Sequence, residues 1–341
     1  MNILIFNAAG IGDFVELIPW LYFAKKQKKD LKISVVVSDR VYEYAKGCGY
    51  IDEAFCLESY KNHIKIFSLR NIIAFFRISN NYDVIIETYP PSRFFSRVLW
   101  KIAYFWLKRG ALEFLDGGQM SSNNYYKRYE EIFNKIGVYK TEFKDILWFR
   151  NETVDRVDKM ISFKNKREVI GISVSGNTLT KRWGKDKWRC LIGRIGDLYG
   201  FNFVIFSDKK SEPYARGIYD SVKGENVVFF SELDMEEWIY SVKKCDFVIS
   251  VDSAIMHIAS IFKLPSIIIS GPVDPVKTTP CFNSDYIRFV SKKVECFPCE
   301  HYRCPNEGDR NMACMNSVTA EEVFDNFKEV YENSPYNNKA R

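Results

Sequence analysis

The sequence predicts an α/β protein built from two Rossmann-like, parallel-sheet domains in series. Three observations carry that expectation. Short β-branched runs recur at Ile33–Val37, Val84–Ile86, Val169–Val174, Phe203–Phe206, Val227–Phe230, Phe247–Val251 and Ile267–Ile269, most of them separated by longer amphipathic stretches. Such alternation specifies parallel strands covered by helices. A charged stretch from Arg150 to Arg167 interrupts the pattern before a new strand begins at Val169. The chain has 341 residues, 47% of them hydrophobic, enough for two cores at roughly 100–200 residues per domain. We therefore expect one domain over 1–160, a second over 161–333, and a polar, frayed tail over 334–341. Open sheets of this kind bind ligands outside the carboxyl ends of their strands, so the chemistry belongs on loops facing a cleft between the domains.

The first element is the apolar run Asn2-Ile3-Leu4-Ile5-Phe6, which breaks at Asn7-Ala8-Ala9-Gly10-Ile11-Gly12-Asp13. Val15, Ile18, Leu21 and Tyr22 then recur at helical spacing. This is a strand, a tight loop and a helix. Gly10 and Gly12 let the backbone turn sharply and let a ligand approach amides at a positive helix end. The third glycine of a dinucleotide fingerprint is missing, because Val15 stands in its place. Asp13 is either a favourable charge in the first helical turn or a general base.

The next informative loop follows the first strand of the second half: Ser173-Val174-Ser175-Gly176-Asn177-Thr178-Leu179-Thr180-Lys181-Arg182-Trp183. Hydroxyls and a glycine followed by two cations supply donors and charge for phosphate oxygens; an ordinary basic surface loop would read the same way. The sharpest pattern comes later. Val251-Asp252-Ser253-Ala254-Ile255-Met256-His257-Ile258-Ala259 reads as a strand end, a small-residue turn and a helix, and Ile267-Ile268-Ile269-Ser270-Gly271-Pro272-Val273-Asp274-Pro275 as a strand and a second loop. Both loops follow parallel strands, so both open on one sheet edge. A helix starting at Ser253 directs unpaired amides there, which suits a diphosphate. His257, one of three histidines, lies about one turn into that helix.

These residues together resemble glycosyltransferase family 9, the heptosyltransferases of lipopolysaccharide core assembly. The likeness spans nearly the whole chain, through a GxGD start, a Lys-x-Trp segment, Asp-Ser-Ala-x-x-His-x-Ala and Gly-Pro-x-Asp-Pro. It implies a GT-B fold and inverting transfer from a nucleotide-activated sugar, usually ADP-heptose, without a catalytic metal or other cofactor. By the resemblance, Asp13 matches the base that deprotonates the acceptor hydroxyl, and Lys181 the lysine that pairs with the donor diphosphate. Gly10, Gly12, Ser175, Asp252, Ser253, Ala254 and His257 fall at donor-binding positions. Glu212, in Ser211-Glu212-Pro213-Tyr214-Ala215, matches the acid that holds the ribose. The chain departs from the family in carrying Ser253-Ala254 where Thr-Gly is usual, and in lacking a glycine within Phe206–Ser211.

The net charge of +6 is unevenly placed. Residues 1–165 hold 25 Lys+Arg against 19 Asp+Glu, whereas 166–341 hold 24 of each. Within 61–109, nine cations face only Asp83 and Glu87. Such a face suits an anionic partner or is simply solvated; with the resemblance, Arg93 and Arg97 become acceptor-binding candidates. The aromatic segment Phe94–Arg109 reads either as a helix packed on its own sheet or as a membrane-interface element. Cys296, Cys299, Cys304 and Cys314 could hold a structural zinc tetrahedrally or remain thiols. No apolar run is long enough to span a bilayer and no signal peptide opens the chain, so we expect a cytoplasmic protein; the resemblance implies that it is peripheral on the inner membrane and acts on an anionic lipid-linked saccharide, not on nucleic acid. Two other classes stay open at this point: a nicotinamide-dependent oxidoreductase, against which the missing glycine counts, and a basic nucleic-acid-binding protein, for which no signature is present.

Overall fold

The computed structural model describes residues 1–7, 10–57, 59–60, 63–64, 78, 82–88, 113–116, 124–280, 282 and 284–333. Arg93, Arg97, the segment 94–109, nearly all of the basic run and the tail 334–341 lie outside the described residues. The chain divides into two compact units, Met1–Trp148 and Phe149–Arg341.

The first unit contains β1 (Asn2–Asn7), α1 (Ile11–Gln27), β2 (Lys32–Ser38), α2 (Tyr42–Gly47), β3 (Glu53–Leu57), β4 (Ser59–Tyr60), β5 (His63–Ile64), β6 (Val84–Glu87), β7 (Glu113–Asp116) and α3 (Tyr125–Lys135). Its main sheet has the order β3-β2-β1-β6-β7, every pair parallel, and β4 and β5 form a separate antiparallel pair. Ile3, Leu4, Ile5 and Val35–Val37 are buried, as strands covered on both faces must be. In α1 every side chain from Phe14 to Leu21 is buried, so this helix is held by packing on all sides.

The second unit contains α4 (Asn151–Met160), β8 (Val169–Ser173), α5 (Lys185–Tyr199), β9 (Asn202–Phe206), α6 (Glu212–Val222), β10 (Val227–Phe230), α7 (Met235–Lys243), β11 (Phe247–Val251), α8 (Ala254–Phe262), β12 (Ser266–Ser270), α9 (Pro275–Thr278), β13 (Ile287–Ser291), α10 (Ala313–Asn316) and α11 (Ala320–Glu332). Its sheet runs β10-β9-β8-β11-β12-β13, again all parallel. The core under it joins Trp183 and Trp188, edge to face at 5.0 Å, to Phe247, Phe324 and Phe327 of the strands and the last helix. Helix ends follow their sequence signals: α5 stops at Gly200, whose φ of +67° is the left-handed conformation a glycine adopts without strain, and α7 and α11 open on reciprocal Asp234/Glu237 and Thr319/Glu322 caps.

The division after Trp148 falls ahead of the boundary expected at residue 160, and the charged stretch explains the difference. Trp148 stacks on Tyr44 of α2 at 5.0 Å. Two residues later the chain is already committed to the second unit: Arg150 bonds the buried Glu236 of α7 through its backbone N–H (2.5 Å) and its Nε (2.8 Å). Arg156 reaches Glu237 at 2.7 Å, while Thr153 and Val157 are buried. What reads as a linker is an amphipathic helix whose Arg156, like Arg150 just before it, has a carboxylate partner on α7.

Candidate active site

In the second unit the strand order reverses between β8 and β11, which lie side by side with Ser173 level with Ser250. That crevice is where doubly wound sheets bind ligands. From β8 the chain runs through Ser175 and Gly176 into a 3-10 turn, Leu179–Lys181; from β11 it runs through Asp252 and Ser253 into α8. The two loops meet in an ion pair. Lys181 Nζ lies 2.8 Å from Asp252 Oδ2, with side chains 15% and 4% exposed, a close charge contact without the alignment of a hydrogen bond. Gly176 makes room for it: a Cβ there would stand 2.7 Å from Lys181 Cδ and 2.9 Å from Asp252 O.

Ser253 precedes α8 in extended conformation and makes no side-chain cap. Its hydroxyl turns to the sheet instead, 3.1 Å from Ser250 Oγ and 3.4 Å from Ser173 Oγ. The first-turn amides of α8 are thus left uncapped by the serine, next to the Lys181 ammonium, and a helix N-terminus beside a cation is a site for anionic oxygens. His257, buried in the same helix, has its pKa lowered to about 4 by burial, which Asp252 opposes and Lys181 reinforces. It is a neutral imidazole at neutral pH. Ala254 is the first residue of α8. Glu212 opens α6, after β9, where its carboxylate pairs with Arg216 on the next turn at 2.9 Å.

The first unit has its own reversal, between β1 and β6, where Phe6 is level with Glu87. Gly10 caps α1, followed by Gly12 in its first turn, and the Gly10 N–H donates to Asp13 Oδ2 at 2.5 Å. Three further residues fix the backbone of Asp13. Its carbonyl accepts from Asn7 Nδ2 (3.2 Å) and from the Tyr129 hydroxyl (3.0 Å), and Asn7 Nδ2 also reaches Tyr129 and Thr88. The Tyr129 phenol is pushed well above its usual range by burial and by the neighbouring Glu16 and Asp13, so it stays a donor. Sequence reasoning missed Thr88 and Tyr129, which lie far from Asp13 along the chain in positions without a motif.

The structure thus brings together Lys181, Asp252, Ser253 and His257 in one unit, and Gly10 and Asp13 in the other. The cysteines Cys296, Cys299, Cys304 and Cys314 are free thiols, and among the described residues no group of three or more His, Cys, Asp or Glu side chains is placed to hold a metal ion.

Residues 123–309, more than half of the chain, match the sequence profile of glycosyltransferase family 9 (heptosyltransferase). The chain belongs to glycosyltransferase family 9. As a family 9 member it is 23% identical over 347 residues to the lipooligosaccharide heptosyltransferase 2 of Campylobacter jejuni, covering 98% of this chain and 99% of that one. Its fold is shared with a family 9 glycosyltransferase from Veillonella parvula (TM-score 0.74, 16% identity, 98% and 97% of the two chains). It is shared also with the heptosyltransferase WaaC of E. coli, solved with ADP (TM-score 0.69, 16% identity, 97% and 100%). These are GT-B enzymes, and the two parallel-sheet units of this family 9 chain are the GT-B type expected from its sequence.

Proposed function

We propose that this enzyme transfers heptose from ADP-heptose to an anionic, lipid-linked core saccharide of lipopolysaccharide or lipooligosaccharide, with inversion at the anomeric carbon. The observation that carries the reading is the Lys181–Asp252 pair beside the uncapped start of α8, in a member of a heptosyltransferase family. An acceptor hydroxyl attacks the anomeric carbon and loses its proton to the Asp13 carboxylate as the bond to the diphosphate breaks. Charge then accumulates on the leaving ADP, where Lys181 and the α8 amides meet it. Those groups supply the stabilisation a catalytic metal would otherwise give, and we assign the reaction no metal. Glu212 would hold the ribose, since two hydroxyls can donate to one carboxylate, and Gly10, Gly12, Ser175, Ala254 and His257 complete the donor site. The second unit supplies most of the donor site; the basic first unit, through Arg93 and Arg97, binds the acceptor at the cytoplasmic membrane face. No helix among the described residues is long and apolar enough to cross a membrane, so we assign that contact to a peripheral surface.

The test is transfer from ADP-heptose, UDP-sugars and GDP-sugars to purified core acceptors, with NAD and a DNA oligomer as binding controls. Asp13→Asn should lower the rate by about 10²–10⁴-fold while ADP affinity stays within about twofold. Turnover near the wild-type rate in that variant removes Asp13 as the base, and stabilisation by NAD alone removes the transferase reading.

A further inference from the structure

Thr180 stands one residue ahead of Lys181, outside every role assigned above. It is 2% exposed. Its hydroxyl donates to His301 O at 2.6 Å and lies 3.0 Å from the Thr178 hydroxyl. The preceding amide, Leu179 N–H, donates to Tyr302 O at 3.0 Å. On its other side the same segment is tied to the loop after β12: the Cys299 and Glu300 amides both donate to Pro272 O, at 3.1 and 3.3 Å, and Glu300 pairs with Lys277 of α9 at 2.5 Å. Lys210, from the loop after β9, sits over the Tyr302 ring at 4.9 Å. Residues 299–302 therefore join the loops that follow β8, β9 and β12.

The turn that carries Lys181 needs such support. It is three residues long and closed by only local bonds, Lys181 N–H to Thr178 O at 3.3 Å and Arg182 N–H to Leu179 O at 3.1 Å. A single 3-10 turn has little stability of its own. Yet the lysine it bears must hold a charge contact at 2.8 Å with a carboxylate on another loop. The strap's backbone carbonyls accept both bonds, one from the Leu179 amide and one from the side chain adjacent to the lysine.

We propose that Thr180 is a positioning residue for Lys181, anchored on a backbone strap formed by residues 299–302, and that it acts on the donor diphosphate through the lysine alone. The proposal rests on the donor role assigned to Lys181 above. The experiment is a double-mutant cycle on the full chain, read as ADP affinity by titration calorimetry and as the rate with ADP-heptose. Lys181→Ala should weaken ADP binding by about 10–100-fold, the loss of a charge-assisted contact. Thr180→Val, which keeps the shape and deletes the hydroxyl, should weaken it by about 3–10-fold, and Thr180→Ser should restore it to within about twofold. The double variant should be no weaker than Lys181→Ala, because a residue acting through the lysine has nothing left to position.

Losses that multiply in the double variant overturn the proposal, as does wild-type affinity in Thr180→Val beside a weakened Lys181→Ala. Wild-type affinity in Lys181→Ala overturns the donor reading and the strap together. If Thr180→Val does not fold, Leu179→Pro carries the same cycle. It deletes the amide that bonds Tyr302 O and leaves the buried hydroxyl intact, at the first position of a helical turn and after an extended residue (Thr178, φ −122°, ψ 152°).

Discussion

His257 shows how a single buried residue couples this site to pH. Its imidazole titrates near 4 in the folded chain and near 6.5 when unfolded, so as pH falls the unfolded state takes the proton first. The resulting stability is complete above about pH 6.5 and is lost as pH falls toward about 4. The ceiling of the effect is about 3 kcal/mol. We expect the stability of His257→Gln, measured by chemical denaturation, to fall less than that of the wild type between about pH 7 and 4.5. Equal losses in the two proteins would exclude the imidazole as the source. Residue types alone could nominate His257, Asp252 and Lys181, each of which stands in a short motif. They could not pair Lys181 with Asp252, because that contact is made between two loops separated along the chain by three strands and three helices. Tyr129 was hidden for the same reason: its hydroxyl reaches the Asp13 carbonyl across 116 positions, and nothing near Tyr129 in the sequence marks it.

Among the elements, the loop between β8 and the 3-10 turn has little tolerance for added bulk. Gly176→Ala would press a methyl group against Asp252 O at 2.9 Å, a backbone atom that cannot rotate away, and against the stem of Lys181. The loop must shift, and the ion pair with it. ADP affinity should drop at least about tenfold, since displacement of a positioning group by about 1 Å can cost a hundredfold, while the fold survives because the strands on either side are untouched. An unchanged ADP affinity in that variant would mean that the loop does not constrain the lysine. Strand identities were largely legible where both faces are buried, as in Phe247–Val251 and Ile267–Ile269, all at most 2% exposed. The outer strands β3, β7 and β13 were not anticipated. In β3 and β13 buried and partly exposed positions mix, so their apolar signal is diluted. The helix α4 was read as a linker because its charges dominate its composition. Only the partners Glu236 and Glu237 reveal what those charges do.

For the molecule as a whole, the donor candidates other than Gly10 and Gly12, namely Ser175, Lys181, Glu212, Asp252, Ser253, Ala254 and His257, fall within Phe149–Arg341, a unit with its own six-stranded sheet and core. A fragment of residues 149–341 should therefore fold cooperatively and bind ADP within about tenfold of the full chain, whereas one beginning at residue 161 should be less stable. It would lose the Arg150–Glu236 and Arg156–Glu237 pairs together with the packing of the buried Thr153 and Val157. Calorimetry on both fragments checks this, and loss of ADP binding in the longer one would mean that the affinity depends on Gly10 and Gly12 of the first unit rather than on the second unit's residues. The sequence by itself determined the two-unit α/β class and the family, and it nominated the candidate site residues, because hydrophobic periodicity and loop chemistry are local properties of the chain. Tertiary structure alone decided where the units divide, which motif residues touch, and that residues 299–302 reach the Lys181 turn. Those outcomes depend on which strand lies beside which, and on backbone carbonyls whose bonding has no side-chain signature.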